Sequence, residues 1–232
     1  MSFVGGRSSP MQPSWGSRRR PGEVSICPLL GEKELISATA GPRVNSTTPY
    51  FKDRWPVPPI RTRRLLLRLP ATSDVEAIFK AASHPTTRWG VHLLPRPYLR
   101  RHAVEFVHRK RTQFRKRESL ALAIVSAGDA SLVGMIELSH LSPIDRCAEL
   151  GYWIAPGQRG HGYATEASIA MCDVGFRTLK LHRIEARAFA RNRASIRVLE
   201  KAGLRQEGHF RERVWFGRRW LDLIWLGRLA PQ

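Results

Sequence analysis

The run Arg159-Gly160-His161-Gly162-Tyr163-Ala164 is the stretch of the chain that carries most information about the fold. An apolar segment at 149–155 precedes it and predicts a strand, while residues 165–178 follow it with a helical pattern. Two glycines and an alanine let the backbone pass close to a ligand. The following helix offers unpaired N–H groups and the positive end of its dipole, which together suit a phosphate.

A glycine-rich turn between a strand and a helix is weak evidence for a phosphate site when it stands alone. The run lacks the lysine of the G-x-x-x-x-G-K-[ST] nucleotide loop, and it is not the G-x-G-x-x-G dinucleotide fingerprint. The residues by themselves therefore leave a tight turn without a ligand as the alternative.

Three motifs in order resemble the GNAT superfamily of N-acetyltransferases. Arg159-x-x-Gly162-x-Ala164 matches its [QR]-x-x-G-x-[GA] pyrophosphate loop, with Ala-Glu-Leu-Gly-Tyr-Trp-Ile at 148–154 before it. The second signature resembles Asn-Arg-Ala-Ser-Ile-Arg-Val-Leu-Glu-Lys-Ala-Gly-Leu at 192–204. With Arg-Leu-Leu-Leu-Arg at 64–68, the chain resembles the branch of ribosomal-protein-alanine N-acetyltransferases over about residues 61–229. That branch also acetylates small amines and antibiotics, so the resemblance is less specific for the acceptor.

The pattern of the remaining chain predicts one α/β (α+β) domain over residues 60–232. Strands are predicted at 63–69, 119–125, 132–139, 149–155, 183–190, 205–216 and 221–229. Helices are predicted from a capping-box spacing at 73–76 to about residue 82, and at 97–116, 165–178 and 194–202. The resemblance implies the GNAT fold, a mixed central sheet flanked by helices and splayed between 149–155 and 183–190 at an acetyl-CoA cleft.

Residues 1–59 differ in composition from the rest of the chain. They are rich in Gly, Pro, Ser and Arg and show no sustained apolar period, which predicts a disordered extension. The segment after Arg18-Arg19-Arg20 is too polar for the apolar part of a twin-arginine export signal. An organelle transit peptide and a start assigned too far upstream stay open as alternatives.

The resemblance also implies which residues bind acetyl-CoA. Backbone groups of Trp153 and Ile154 would pair with pantetheine as an added strand does. Arg159 would add charge at the mouth of the loop, Asn192 would fix the pantetheine arm, and Arg197 would approach the nucleotide. Backbone N–H groups along the loop would hold the pyrophosphate, from Gly160, His161, Gly162, Tyr163, Ala164 and Thr165.

The implied reaction is the direct attack of an amine on a thioester, which needs a deprotonated amine and a proton for the leaving thiolate. Glu149 is the candidate base, because it starts the splayed strand where the resemblance puts an acid. Glu137 is the runner-up, and for either the alternative is an edge carboxylate paired with a surface arginine. Many relatives place a tyrosine acid where this chain has Leu199, so the resemblance suggests Ser195 as the substitute.

Composition excludes several classes of protein. The chain of 232 residues has 39 Lys and Arg against 19 Asp and Glu, a net charge of +20. It has no apolar run of the ~18 residues that span a membrane, and its three cysteines form neither a disulfide framework nor a zinc pattern. No metal site is expected, and a reducing, cytoplasmic location is the default. The basic segment 97–116 is either a solvated face or a surface for rRNA or an acidic protein.

The sequence thus predicts an acetyl-CoA-dependent N-acetyltransferase, with the N-terminal α-amine of a protein, plausibly a ribosomal one, as acceptor. The alternative enzyme acetylates a small amine such as a polyamine, an amino acid or an aminoglycoside. A third interpretation, a non-catalytic module that binds acyl-CoA or RNA, rests on the missing tyrosine at Leu199.

Overall fold

In the computed structural model, an eight-stranded sheet runs through the described part of the chain, and helices pack on both of its faces. The structure describes residues 49–56, 58–90 and 94–231. The strands are β1 (Ile60–Arg61), β2 (Leu65–Arg68), β3 (Leu120–Ser126), β4 (Leu132–Ser142), β5 (Cys147–Ile154), β6 (Arg183–Phe189), β7 (Arg205–Phe216) and β8 (Arg219–Leu229). The helices are α1 (Val75–Ser83), α2 (Pro85–Gly90), α3 (Arg100–Arg115), α4 (Tyr163–Asp173) and α5 (Arg193–Lys201).

The distribution of apolar side chains produces three layers. Strand β3 is buried along almost its whole length because both faces of the sheet are covered there. Helices α4 and α5 pack on one face through Met171 and Leu199, and α1 and α3 pack on the other through Ile78 and Val107. Each such side chain contributes about 1.5–3 kcal/mol when it is fully buried. The two helical layers therefore cover both faces of the sheet around its central strands.

An opening forms in the sheet where two neighbouring strands stop pairing. The strand order is β1-β2-β3-β4-β5-β6-β8-β7, and the β5–β6 pair is parallel while the other neighbours are antiparallel. Pairing of β5 with β6 starts at Cys147 and Arg183 and ends at Glu149 and Glu185. Beyond that point β5 stays paired with β4 up to Ile154, so its other edge faces an opening. This confirms the predicted mixed, splayed sheet.

Several predicted elements differ in detail from the observed ones. The structure adds the short α2 and the two-residue β1, and α3 begins at Arg100 rather than at residue 97. The capping box predicted at 73–76 does not form. Instead, the buried carboxylate of Asp74 accepts the Ala71 N–H and forms two hydrogen bonds with Arg68, each 2.7 Å long. The start of α1 is therefore held by Arg68 on the preceding strand rather than by a local capping box. The spacing of the sequence does not reveal this partner.

The predicted boundary at residue 59 is too late in the chain. Phe51 is 4% exposed and belongs to the main core, and Trp55 packs against that core and against Phe114. The Tyr50 hydroxyl donates to the Lys180 carbonyl at 2.9 Å. Aromatic side chains flanked by prolines show no period, so the sequence pattern missed a segment that covers the core with only one short 3₁₀ turn, Pro49–Phe51. Residues 1–48 of the predicted extension lie outside the described residues.

None of the helices in the described residues has the length and apolar character of a membrane span. Within the same ranges, no group of three His, Cys, Asp or Glu side chains is arranged to hold a metal ion.

Candidate active site

The loop between β5 and α4 presents backbone rather than side chains to its surroundings. Gly160 and Gly162 have φ values of +84° and +78°, in the left-handed region that favours glycine. Helix α4 begins at Tyr163, and no side chain caps it at Gly162. The N–H groups of its first turn therefore remain available, at the positive end of the helix dipole. This arrangement fits a phosphate group, as the motif predicts.

Hydrogen bonds between the start of α4 and the segment that joins β1 to β2 fix the shape of this loop. Glu166 accepts the Thr62 hydroxyl at 2.6 Å and both the backbone N–H and the Nε of Arg64, at 2.8 and 2.7 Å. Burial alone would raise the pKa of Glu166, but these hydrogen bonds lower it below the ordinary value. The Arg64 guanidinium also donates to the His161 carbonyl at 3.0 Å and lies over the Tyr163 ring. One ion pair thus holds both the loop and the start of the helix.

The side chains of His161 and Tyr163 stack on each other, with ring centroids 5.6 Å apart. His161 is exposed, and its ring supports the outside of the loop. Ala164 and Thr165, in the first turn of α4, are partly buried. These residues lie together where the motif predicts a pyrophosphate site.

Arg159 has a different role from the one expected. Its Nε donates to the Ile154 carbonyl at 3.1 Å, and its terminal nitrogens donate to the hydroxyls of Thr86 and Thr87 at 2.7 and 3.0 Å. The guanidinium therefore ties the end of β5 to helix α2, and its desolvation lowers its pKa. Because α2 was not predicted, the sequence offered no partner for this arginine and left only the expectation of a free charge at the loop mouth.

On the face of the sheet that carries α5, Asn192 and Ser195 are linked. The Asn192 side chain caps α5 by accepting the Ser195 N–H at 3.1 Å. The Ser195 hydroxyl lies 3.0 Å from the Tyr152 hydroxyl, and either can donate. Burial raises the pKa of Tyr152 to about 12, against the opposing effect of its hydrogen bond with Ser195. The sequence pattern assigns no role to Tyr152, although its position next to Trp153 on the splayed strand is a usable signal.

On the opposite face, the carboxylate of Glu149 sits where β5 and β6 part. Arg187 on β6 forms two hydrogen bonds with it, 2.9 and 2.6 Å long. The His140 Nδ1 lies 3.4 Å from the same carboxylate, and Arg187 also lies over the Trp225 ring. The carboxylate is 22% exposed, so it remains accessible from the open face. Arg187 was not predicted, because only the register of β6 brings it next to Glu149.

Glu137, the alternative base, is held elsewhere on that face. Its carboxylate forms a 2.6 Å ion pair with Lys110 from α3, whose side chain is only 12% exposed. Residues 137 and 151 are register partners, so Glu137 lies on the strand next to β5, beside a residue two positions beyond the last β5–β6 pair. Its side chain is 22% exposed, as that of Glu149 is, so both carboxylates lie by the opening and both remain candidate bases.

The remaining predicted residues are Trp153, Ile154 and Arg197. Trp153 and Ile154 lie on the part of β5 whose edge faces away from β4. The N–H and C=O groups along such an edge can accept an extended ligand as an added strand does, although the Ile154 carbonyl already accepts the Arg159 Nε. Arg197 is exposed on α5, one helical turn after the Asn192 cap. These residues fit a ligand with an extended arm along the β5 edge and phosphates at the start of α4. Coenzyme A has this shape.

Comparison with known proteins agrees with this geometry. Residues 64–205 match the family model described as "Acetyltransferase (GNAT) domain". A solved structure described as an acetyltransferase (GNAT family) from Bacillus anthracis is similar, with a TM-score of 0.64 and 28% identity. The similarity covers 73% of this chain and 97% of that one.

Similar curated proteins carry different acceptor descriptions. Probable N-acetyltransferase YjcK of Bacillus subtilis is 36% identical over 135 residues, which is 56% of this chain and 75% of that protein. Putative ribosomal N-acetyltransferase YdaF of Bacillus subtilis is 35% identical over 104 residues, 45% of this chain and 57% of that protein. Spermidine N(1)-acetyltransferase of Vibrio cholerae is 30% identical over 100 residues, 43% of this chain and 58% of that protein.

Proposed function

The chain belongs to the GNAT family and is an N-acetyltransferase that uses acetyl-CoA, and from this premise we propose that its acceptor is the N-terminal α-amine of a protein. A ribosomal protein is the first choice, on the likeness to the putative ribosomal enzyme from Bacillus subtilis. The resemblance to the ribosomal-protein branch is part of the same proposal.

The observation that carries this proposal is the pairing of the carboxylates on the open face. Glu149 is paired with Arg187, and Glu137 is paired with Lys110. Further along β6, Arg183 binds both Glu185 and Glu207. A polyamine carries several positive charges and needs unpaired acids to bind, whereas these four carboxylates already have basic partners. A peptide N-terminus carries a single charge and needs no cluster of unpaired acids, only one carboxylate close enough to accept its proton.

The chemistry of an α-amine also matches a carboxylate base at the opening. An α-amine has a reference pKa of about 7.7–8.0, whereas that of lysine is about 10.4. A modest base is sufficient to keep it deprotonated near neutral pH, either directly or through a water molecule. We assign this role to Glu149, with Arg187 holding the carboxylate in place. Transfer is direct, so the buried Cys172 needs no part in it.

Acetyl-CoA supplies the activated acetyl group, and the chain's own residues orient it. We propose that the β5 edge at Trp153 and Ile154 binds the pantetheine arm, with the Asn192 amide beside it. The N–H groups of the loop and the first turn of α4 bind the pyrophosphate, and Arg197 lies towards the nucleotide. Ser195 is the hydroxyl that we place next to the leaving sulfur.

The basic surface of α3 supports an acceptor on the ribosome. Arg101, Arg109, Arg115 and Lys116 are exposed on this helix. Ribosomal RNA would attract this face through its phosphates, and the attraction would weaken steeply with salt. We therefore expect co-sedimentation with ribosomes at low salt, in the cytoplasm. Reversal of charge at Arg101 and Arg109 would abolish co-sedimentation. Co-sedimentation that survives the reversal would exclude this face of α3 as the ribosome-binding surface.

Acetylation of a small amine is the second candidate, and the likeness to the spermidine enzyme of Vibrio cholerae favours it. A panel assay separates the two. Release of CoA is followed with acetyl-CoA and peptides that begin with alanine or serine, the same peptides with blocked N-termini, spermidine and an aminoglycoside. We expect turnover on free peptides alone. Turnover on the small amines alone would contradict the proposal and support the second candidate.

A further inference from the structure

Tyr152 and Ser195 connect the two elements that border the opening. Tyr152 lies on β5, three residues beyond the end of its pairing with β6, and Ser195 lies in the first turn of α5. Their hydroxyl oxygens are 3.0 Å apart, and the Tyr152 hydroxyl also lies 3.4 Å from the Ser195 carbonyl. The phenol ring is mostly buried against the main core, so it has little freedom to leave this position.

Glu149 and Tyr152 lie on opposite faces of the same strand. Side chains alternate along a strand, and Trp153 packs with the α1–α3 layer while Tyr152 packs with the α4 layer. The strand thus presents a carboxylate on one side of the opening and a hydroxyl pair on the other. An amine and a leaving sulfur need these two kinds of group, on two sides of the carbon between them.

We propose that Tyr152 is a positioning residue, which donates to the Ser195 oxygen and thereby directs the Ser195 proton at the sulfur that leaves. The inference rests on the role of Ser195 proposed above, and it does not depend on which amine is the acceptor. Leu199, one turn further along the same helix, is buried and has no hydroxyl to supply. The phenol that orients the donor therefore comes from the strand rather than from the helix.

The amine nitrogen forms a bond to the acetyl carbon, the carbon–sulfur bond breaks, and its electron pair stays on sulfur. The amine proton passes to Glu149, directly or through water. A thiol has a reference pKa of about 8.5, and the Tyr152 pKa of about 12 lies well above it. Tyr152 therefore keeps its proton, and the hydroxyl pair stabilises a thiolate that solvent protonates after release.

The first test titrates the thiol of bound CoA, with CoA alone as the probe. Thiolate absorbance is followed against pH for saturated wild-type protein and for Tyr152→Phe, Ser195→Ala and the double variant. A Ser195 hydroxyl that donates to sulfur, polarised by the hydrogen bond from Tyr152, favours the thiolate, so the pKa of the CoA thiol in the wild-type complex should lie below that of free CoA. We expect each single variant to raise it by about one unit, which is a tenfold change in the ionisation constant.

The controls separate this role from a merely structural one. Tyr50→Phe removes a hydroxyl that donates to the Lys180 carbonyl, and we expect it to leave the titration unchanged. Ser195→Ala retains the backbone N–H that Asn192 accepts, so the cap of α5 survives. Because Tyr152 acts through Ser195, the double variant should shift no further than Ser195→Ala alone. A Tyr152→Phe complex that titrates like wild type, or additive shifts, would overturn the proposal.

Kinetics provide a second and separate measurement. With an acceptor that the panel assay identifies, Tyr152→Phe should lower kcat about tenfold and leave KM for acetyl-CoA within about twofold. A rise in KM with unchanged kcat would mean that Tyr152 only shapes the binding site, which would overturn the inference. Failure of every peptide in the panel would refute the acceptor proposal alone, because the CoA titration needs no acceptor.

Discussion

The guanidinium of Arg187 forms two hydrogen bonds with the carboxylate of Glu149, at the point where β5 and β6 stop pairing. A bidentate arginine fixes the direction of a carboxylate as well as its charge. The carboxylate at the opening is therefore oriented from the neighbouring strand, as the base that we propose would need to be.

Replacing Glu149 with Gln should remove the base and keep the size of the side chain. We expect kcat to fall by about 10²–10⁴-fold, the usual contribution of a general base. Affinity for CoA, measured by calorimetry, should stay within a factor of about three because the carboxylate is remote from the phosphate loop.

Glu137→Gln is the matched control for that experiment. It changes the same group on the adjacent strand, where Lys110 is its partner. We expect it to lower stability by about 1–2 kcal/mol, in chemical denaturation, and to leave kcat nearly unchanged. A loss of kcat in Glu137→Gln with normal kcat in Glu149→Gln would reverse the assignment of the base.

Arg159→Ala should destabilise the protein in the absence of any ligand. The guanidinium donates to the Ile154 carbonyl and to two threonine hydroxyls, so its loss should cost about 1–3 kcal/mol of unfolding free energy. Arg159→Lys should not recover this, because one ammonium group cannot reach all three acceptors. Denaturation of the ligand-free protein measures the effect. An unchanged stability combined with weaker CoA binding would instead restore a charge role for Arg159.

Gly162→Ala should weaken CoA binding through backbone strain. An alanine at φ +78° costs about 1–2 kcal/mol, and relief of that strain would rotate the N–H groups at the start of α4. Gly157→Ala is the comparison, since a Cβ there meets nothing within 4 Å and its φ is not in the left-handed region. Calorimetry should show a CoA affinity at least tenfold lower for the first variant only. Equal affinities would mean that the loop does not need its left-handed glycine.

Glu166→Gln should make the free energy of unfolding depend less on pH in the acid range. The pKa of Glu166 is lowered in the folded protein, so its contribution is present above the unfolded-state value of about 4.3. That contribution is lost as pH falls through the lower folded-state value. At pH 7 we expect the variant to be less stable by about 1–2 kcal/mol. Denaturation at falling pH should show the two proteins converging, and a constant difference down to acid would contradict the assignment.

The sequence predicted those parts of the structure that depend on local pattern. The glycine motif located the loop and the start of α4, and the apolar runs located β3 and β5. It did not reveal Arg187, Lys110 or Thr87, because each becomes a partner only through the register of the sheet or the placement of a short helix. Phe51 was missed for a related reason, since an irregular segment buries an aromatic ring without producing a period.

The prediction of the catalytic residues also lacked the partners that only the folded structure brings together. Glu149 and Ser195 were named from a resemblance, which assigns positions but not partners. The hydrogen bond between Ser195 and Tyr152 joins residues 43 positions apart in the chain. Only the fold, which brings Tyr152 of β5 to the first turn of α5, reveals that a strand supplies the second hydroxyl.

The short parallel contact between β5 and β6 has a consequence for the lifetime of the protein. Strands β5 and β6 are paired only from Cys147 to Glu149 and then diverge. A bound CoA arm would supply hydrogen bonds to β5 where β6 no longer does. At a concentration of 100 times its Kd, a ligand that binds only the folded state adds about 2.7 kcal/mol of stability. We expect proteases to cut the CoA-starved protein much faster than the saturated one, so that the supply of CoA governs how long each molecule survives.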